Sequence, residues 1–221
     1  MASTTPAPDT SADAAREEAA PPGPEDQTTD ATPADASAIS TVALRDIALA
    51  VALLSVWAGA DAWYLVSGVG LGALLSAVGG LLVGAAVTAL AHEWGHFAGA
   101  RLSGGTAPVS PAKGFVPLFM FDFERSGEEH FRAMSVGGNL AHWFVALAWF
   151  ALLPGDSPGQ LAVQCGGIGF AIFASTIEFP VIQRAFAGVP GKEALSGIGP
   201  DTLRNSAWIG FASALVLFAL L

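Results

Sequence analysis

The stretch VGLGALLSAVGGLLVGAAVTALAHEWGHFAGA, residues 69–100, decides the fold of this chain. Its only ionisable side chains are His92, Glu93 and His96, and the remainder is apolar or small. As a helix it would be about 48 Å long, whereas a membrane core of about 30 Å needs only about 20 residues. We therefore expect a membrane-spanning helix that tilts, bends at its glycines or projects from the bilayer, with its HEWGH end close to one interface.

The rest of the chain supports the same fold class. Hydrophobic residues make up 52% of the 221 residues and charged residues only 13%, which is outside the range of ordinary soluble domains. Apolar stretches of spanning length recur, so the sequence predicts an all-α membrane protein with about five transmembrane helices. The predicted spans are residues 47–66, 69–100, 134–153, 160–186 and 203–221.

The N-terminal segment has a different composition. Residues 1–41 hold eight of the 19 carboxylates but only one of the nine basic residues, and they are rich in Pro, Ala, Ser and Thr. Such a segment cannot bury enough apolar surface to fold. We predict a disordered acidic tail at residues 1–42, which could recruit a partner, and a transmembrane domain at residues 43–221. The tail has neither a basic start nor an early apolar run, so we do not expect a signal peptide.

Basic residues lie on one side of the predicted spans, which sets the orientation by the positive-inside rule. They precede the first span, occur in the loop of residues 101–133 and surround the loop of residues 187–202, while the turns at 67–68 and 154–159 have none. With five spans, this distribution places the N-terminus and both basic loops in the cytoplasm. We expect a multi-pass protein of the cell membrane whose HEWGH end is cytoplasmic.

HEWGH has the spacing of a zinc-binding helix. His92 and His96 lie four residues apart, so on a helix their imidazoles lie one turn apart on the same face and can bind one cation. Zinc held by two His and a carboxylate keeps a position for water and lowers its pKa to about 7, and Glu93 could then take a proton from that water. The one cysteine, Cys165, cannot build a thiolate site, so the third ligand must be His or carboxylate. A structural polar cluster is the alternative interpretation of the motif.

These features resemble the site-2 protease family of intramembrane zinc metalloproteases, of which this chain would be a divergent member. The resemblance covers residues 69–186: an HExxH late in a transmembrane helix, a loop with an extended segment, and a helix that begins with small residues. In the family that helix often begins Gly-Pro-Leu-Ala-Asn, and Gly138-Asn139-Leu140-Ala141-His142 takes its place here. The resemblance implies that His142 contacts the substrate backbone or the reacting oxyanion.

A third zinc ligand is expected from a later helix. The family uses an Asp followed by Gly, and this sequence has no such pair. Glu178 is the best replacement, because it is the only carboxylate of the 160–186 span and lies near Pro180, which should locally open the helix. The alternatives are Asp201, which suits a helix N-cap equally well, His142, and a purely structural pairing of Glu178 with Arg184 or a serine.

The loop of residues 101–133 contains the apolar run FVPLFMFDF, residues 115–123. Its partial alternation predicts a short cytoplasmic extended or re-entrant segment between the second and third spans. In the family, similar segments lie near the active site, where an edge strand could pair with an unwound substrate. A loop packed on the helices is an equal alternative, because Pro117 weakens a strand.

Two further polar residues are interpreted as non-catalytic. His130 lies in a polar run beside Glu128 and Glu129 and should be solvated. Asp61 lies beside aromatic residues at the extracellular end of the first span and should be interfacial.

The sequence therefore predicts a zinc metalloendopeptidase that hydrolyses membrane-embedded or membrane-proximal segments of proteins. Zn²⁺ would be held by His92, His96 and Glu178, Glu93 would act as base and then acid, and His142 would stabilise the oxyanion. The expected partners are a membrane-protein substrate and the lipid bilayer, and no nucleic acid is expected. The alternatives are an inactive scaffold or regulator with a degenerate metal site, and a metal or haem carrier that has no need of Glu93.

Overall fold

The computed structural model describes Ala2, residues 33–110 and residues 118–221. Residues 31–221 form one compact unit, and five of its helices are long and apolar enough to cross a membrane. The prediction of an all-α protein with five spans is confirmed, and no β-strand occurs within the described ranges. The helices are α1 (Pro33–Ser67), α2 (Gly70–Leu102), α3 (Glu128–Leu152), α4 (Pro158–Phe186), the short α5 (Gly191–Leu195) and α6 (Pro200–Leu220).

Helix α1 begins earlier than the sequence predicts. Residues 33–42, which were expected to belong to the tail, are helical. Ile39 and Val42 pack against buried apolar residues, and Asp35 forms an ion pair with Arg101. These contacts stabilise the additional N-terminal turns of α1, and the composition of the segment does not reveal them. The remaining tail positions, apart from Ala2, lie outside the described residues.

Helix α4 lies at the centre of the bundle, where it packs against α2, α3 and α6. Its approach to α2 is close because glycines lie at the contact. A Cβ on Gly84 would overlap the backbone of Val163, and a Cβ on Gly166 would overlap the backbone of Leu81. Small residues at such contacts let helix backbones approach in a membrane, where packing replaces the hydrophobic effect. Helices α2 and α4 therefore form a tightly packed pair.

Helix α4 continues through Pro180 to Phe186. Proline removes one backbone hydrogen bond and usually kinks a helix, but it does not end this one. The opening expected near Glu178 is therefore not a break in the helix, and Glu178 is held on regular helical backbone.

The loop between α2 and α3 contains one antiparallel bridge, between Val109 and Phe119. Residues 111–117, which include Lys113 and Pro117, lie outside the described residues. The two sides of the loop are joined by backbone hydrogen bonds from Ser110 N to Leu118 O at 3.0 Å, from Met120 N to Pro108 O at 3.1 Å and from Asp122 N to Thr106 O at 3.0 Å. This pairing is too short to count as a strand, but it gives the segment of residues 118–122 an extended course.

Buried apolar residues tie this loop to the ends of the helices. The cluster joins the end of α2, the loop, the start of α3, the end of α4 and α5, and it includes Phe97, Leu118, Phe131, Val181 and Ala194. Because it gathers the same ends of α2 and α4 that carry HEWGH and Glu178, it fixes the position of the polar residues described next.

Candidate metal centre

Three side chains that can bind a metal ion converge between α2 and α4. His92 and His96 project from α2, and Glu178 projects from α4, with one ligand atom of each lying within 4.8 Å of the other two. Glu178 Oε1 lies 3.3 Å from His92 Nε2 and 2.7 Å from His96 Nε2. We call these three residues the metal cluster. Both helices are closely packed against each other, so the cluster is positioned by helical backbone and not by a loop.

The metal cluster has the donor types of a zinc site, and one of its two separations to Glu178 fits such a site. Zinc bonds of about 2.0–2.2 Å in a tetrahedron place neighbouring ligand atoms about 3.3–3.5 Å apart. The separation of 3.3 Å between His92 and Glu178 lies at this value, while that of 2.7 Å between His96 and Glu178 is a hydrogen-bond distance. Two imidazoles and one carboxylate would leave a fourth position open.

Asn139 on α3 fixes the carboxylate of Glu178. Its Nδ2 donates to Glu178 Oε2 at 2.9 Å, so one oxygen is held by an amide while the other faces the two histidines. This role of Asn139 was not predicted from the sequence, where the residue stands in a run of small residues. The available signal was an amide side chain in an otherwise apolar helix segment, which needs a polar partner when it is buried.

His142 on α3 contacts His92. Its Nδ1 is 3.0 Å from His92 Nδ1, and its Nε2 is 3.2 Å from Ser175 Oγ. Ser175 also accepts a hydrogen bond from Trp143 Nε1 at 2.9 Å. His142 is fully buried, and both of its ring nitrogens have partners. The structure thus brings His142 into contact with a residue of the metal cluster, while its contact with substrate stays a prediction.

His96 is oriented by α3 as well. Its Nδ1 lies 2.8 Å from the carbonyl oxygen of Met134, which can accept its proton. Gly138 lies against the ring, since a Cβ there would overlap it. Metal-binding histidines commonly donate their second nitrogen to a carbonyl or carboxylate in this way, which fixes the ring and its tautomer. Both histidines of the metal cluster therefore have a second-nitrogen partner of the kind that metal-binding histidines commonly have.

Glu93 lies at a cavity beside the metal cluster. The cavity has a volume of about 360 Å³, and Glu93, His96 and Glu178 are among its lining residues. The side chain of Glu93 makes no hydrogen bond or ion pair within the described structure. A carboxylate that shares a cavity with two metal-cluster residues and is not otherwise engaged is free to accept a proton there.

Trp94, the central residue of HEWGH, connects the motif to α1. Its Nε1 donates to Asp46 Oδ2 at 3.0 Å, and Asp46 is buried. Arg45 Nε donates to the other oxygen of Asp46 at 2.8 Å. This contact was not predicted. The available signal was an acid immediately before the predicted first span, since an acid buried in a membrane bundle is rarely kept without a partner.

The other candidate residues lie elsewhere. Asp201 pairs with Arg204 at 2.9 Å and its side chain is 81% exposed. His130 lies 3.4 Å from Glu129. Arg184 donates to the carbonyl of Ala194 at 3.1 Å and does not pair with Glu178 within the described structure. Of the alternatives for the third ligand, only Glu178 and His142 are brought to the centre.

Asp61 forms a second buried polar group at the opposite end of α2 and α4. It is 5% exposed, and its Oδ1 accepts hydrogen bonds from Ser76 at 2.5 Å and from Ser157 at 2.6 Å. We call Asp61, Ser76 and Ser157 the hydroxyl cluster. Asp61 is therefore buried between helices near the C-terminal end of α1, and its interfacial depth in the membrane stays a prediction.

No family model matches the chain, and no curated protein or solved structure matches it significantly. The metal cluster, its outer partners and the adjoining cavity are therefore the features of the molecule that bear on its function.

Proposed function

We propose that this chain is an intramembrane zinc metalloprotease. The observation that carries the proposal is the convergence of His92, His96 and Glu178 at the wall of a cavity that also holds Glu93. A structural polar cluster needs neither a cavity nor an unengaged acid beside it. Hydrolysis of a peptide bond needs both, because a substrate carbonyl and a water molecule must reach the base.

The residues present suit zinc. A zinc ion held there would polarise the substrate carbonyl and lower the pKa of a bound water to about 7. The carboxylate and the imidazoles are the donors that zinc accepts, and no thiol is needed. His92 and His96 would each bind through Nε2, because these are the atoms that face Glu178.

Glu93 is assigned the proton transfers. It would accept a proton from the attacking water and pass it to the nitrogen of the leaving amine, so that one carboxylate serves both halves of the reaction. Its lack of another partner keeps it available for both steps. Metalloproteases with HExxH use the glutamate of the motif in this role.

Asn139 and His142 are assigned to positioning. Asn139 holds one carboxylate oxygen of Glu178 and leaves the other for the metal. A His92 ring that binds metal through Nε2 carries its proton on Nδ1, and this proton would be donated to His142. The contacts of His142 favour this role over the substrate contact that the family resemblance implies.

The extended segment of residues 118–122 is the proposed binding edge for substrate. Its hydrogen bonds to residues 106–110 use Leu118, Met120 and Asp122. The backbone groups of Phe119 and Phe121 point to the opposite edge and make no hydrogen bond within the described structure. A substrate segment that has unwound from a helix could pair there, which would expose its peptide bonds to attack.

The cytoplasmic side is the proposed location of the centre. Within the described structure the basic residues lie in the first half of α1, from the end of α2 to the start of α3, and from the end of α4 to the start of α6, toward the end of the bundle that carries the metal cluster. The positive-inside rule places this end in the cytoplasm. The substrate would therefore be cut near the cytoplasmic face of the cell membrane.

A metal-free scaffold is the second candidate. It is favoured by the separation of 2.7 Å between His96 and Glu178, since this distance lets the two residues satisfy each other by a hydrogen bond. On this alternative, Glu93 would have no chemical role.

The test uses the full-length zinc-loaded protein in proteoliposomes with a library of quenched fluorescent apolar peptides. We expect wild type to release fluorescence and Glu93→Gln to be inactive while it keeps its zinc. Glu129→Gln is the matched control, because Glu129 is exposed and lies outside the cavity. Equal cleavage by wild type and Glu93→Gln, or no cleavage by the zinc-loaded wild type, would contradict the proposal.

A further inference from the structure

The cavity beside the metal cluster has an apolar lining that the chemistry of peptide hydrolysis does not require. Its volume of about 360 Å³ falls within the range of about 300–1,000 Å³ that is usual for ligand pockets. Apart from Glu93, His96, Glu178 and Ser135, every lining residue is hydrophobic. The polar residues of the cavity are thus mainly those that the reaction uses, and the rest of its surface is available for a substrate side chain.

We propose that this cavity receives a bulky apolar side chain, aromatic or branched aliphatic, from the residue beside the bond that is cut. The inference rests on the proposed function and names its substrate class. A charged or amide side chain would lose its hydration in the cavity and would find only Ser135 as a side-chain hydrogen-bond partner beyond the reacting groups. A small side chain would leave the apolar walls uncovered.

Side chains of the extended segment line the cavity. Phe119, Phe121 and Phe123 all line it, so one face of this segment is directed toward it. Side chains alternate between the two faces of an extended strand. A substrate strand that pairs with the open edge at Phe119 and Phe121 would therefore present every second side chain on the cavity face. The side chain next to the scissile bond is the one that can reach both the cavity and the metal cluster.

The wall opposite the ligands comes from α5 and the turn after it. Leu195 and Ile198 line the cavity from this segment. The segment is fixed by the hydrogen bond from Gly191 N to Glu128 Oε2 at 2.9 Å, and by Lys192, whose Nζ lies 5.6 Å from the centre of the Phe123 ring. None of these contacts involves the metal cluster. The size of the cavity can therefore be changed without touching a metal ligand.

Two hydroxamates test the proposal on the full-length zinc-loaded protein in detergent, with affinity measured by calorimetry. Acetohydroxamate carries only a methyl group, whereas 3-phenylpropionohydroxamate adds an apolar ring on a short stem. Both bind zinc through the same group, so any difference reports the cavity. We expect the phenyl compound to bind wild type at least about tenfold more tightly, as burial of several apolar carbons requires.

The Ile198→Trp variant should fill the cavity. In this variant we expect the affinity for the phenyl compound to fall to within about threefold of that for acetohydroxamate, while the affinity for acetohydroxamate stays unchanged. Ile209→Trp is the matched control, because Ile209 is exposed on α6 and does not line the cavity. Leu195→Trp is the second variant if Ile198→Trp does not fold, and zinc content is measured in every sample.

The outcomes distinguish failure of the cavity proposal from failure of the proposed function. Zinc-loaded wild type that binds both hydroxamates equally would overturn the cavity proposal and leave the metal centre in place. An equal loss of affinity for both hydroxamates in the tryptophan variants, with zinc retained, would also overturn the cavity proposal. A wild type that holds no zinc would overturn the proposed function and this inference together.

Discussion

The two ends of the α2–α4 pair each bury a polar cluster, yet they differ in kind. In the hydroxyl cluster, two serines donate to one oxygen of Asp61, so donors and acceptor are matched and the group is satisfied by itself. In the metal cluster, atoms that can bind a cation converge from three side chains, and a cavity adjoins two of them. Burial of polar groups in a membrane bundle is therefore not sufficient to indicate function. Convergence of ligand atoms at an accessible cavity is the feature that separates the two ends.

The largest expected effect of this difference is on catalysis. His92→Ala should lower the rate of peptide cleavage by about 10³-fold, because a metal contribution of several kcal/mol to the barrier is lost. Asp61→Asn should leave the rate within about threefold, since Asp61 lies at the other end of the bundle. The rates are measured in proteoliposomes with one peptide substrate. Similar losses in the two variants would show that the ends are not functionally distinct.

The next effect is on zinc affinity through the outer partners. Asn139→Ala and His142→Ala should each weaken zinc binding by about 10–100-fold, because they release the side chains of Glu178 and His92 from their fixed orientations. Titration with a competing chelator measures the affinity. Ser76→Ala is the control from the hydroxyl cluster and should leave the zinc affinity unchanged. An unchanged affinity in His142→Ala would remove His142 from the positioning role.

A smaller effect should appear only in stability. Asp61→Ala leaves the hydroxyls of Ser76 and Ser157 without their acceptor, which should lower the free energy of unfolding by about 1–3 kcal/mol. We expect a lower thermal midpoint in detergent for the metal-free protein, with the zinc affinity of the folded protein unchanged. Asp61→Asn keeps a side-chain oxygen as an acceptor and should be affected less. A zinc affinity that falls with Asp61→Ala would contradict a purely structural role.

The smallest effect is expected at the contact between α1 and HEWGH. Trp94→Phe keeps an aromatic ring but removes the hydrogen bond to Asp46, which should reduce stability by about 1 kcal/mol. Zinc affinity and cleavage should change by less than about threefold, because Trp94 itself binds no metal. Thermal denaturation together with the chelator titration checks both. A large loss of zinc would show that α1 positions the metal ligands through Trp94.

The positions of the spans and the three residues of the metal cluster could be predicted from the sequence for physical reasons. Apolar stretches of spanning length have few other stable folds, so all five spans could be located. The spacing of His92 and His96 depends only on helical geometry. Glu178 could be selected because a lone acid in a span needs a partner, although the sequence could not show that its partners are His92 and His96.

The contacts between helices could not be predicted in the same way. A span that is apolar around its whole circumference does not indicate which face packs inward. The pairings of Trp94 with Asp46 and of Asn139 with Glu178 depend on helix rotation. The early start of α1 at Pro33 depends on contacts made by Ile39 and Val42 with distant segments, which composition alone does not contain.

The most direct test of the central claim is the metal content of the detergent-purified full-length protein in three forms. We predict about one zinc per chain in wild type, none in Glu178→Ala, and about one in Asp61→Ala, since only the first of these acids belongs to the metal cluster. Wild type without zinc, or zinc retained by Glu178→Ala, would contradict the claim that the two buried clusters differ in kind.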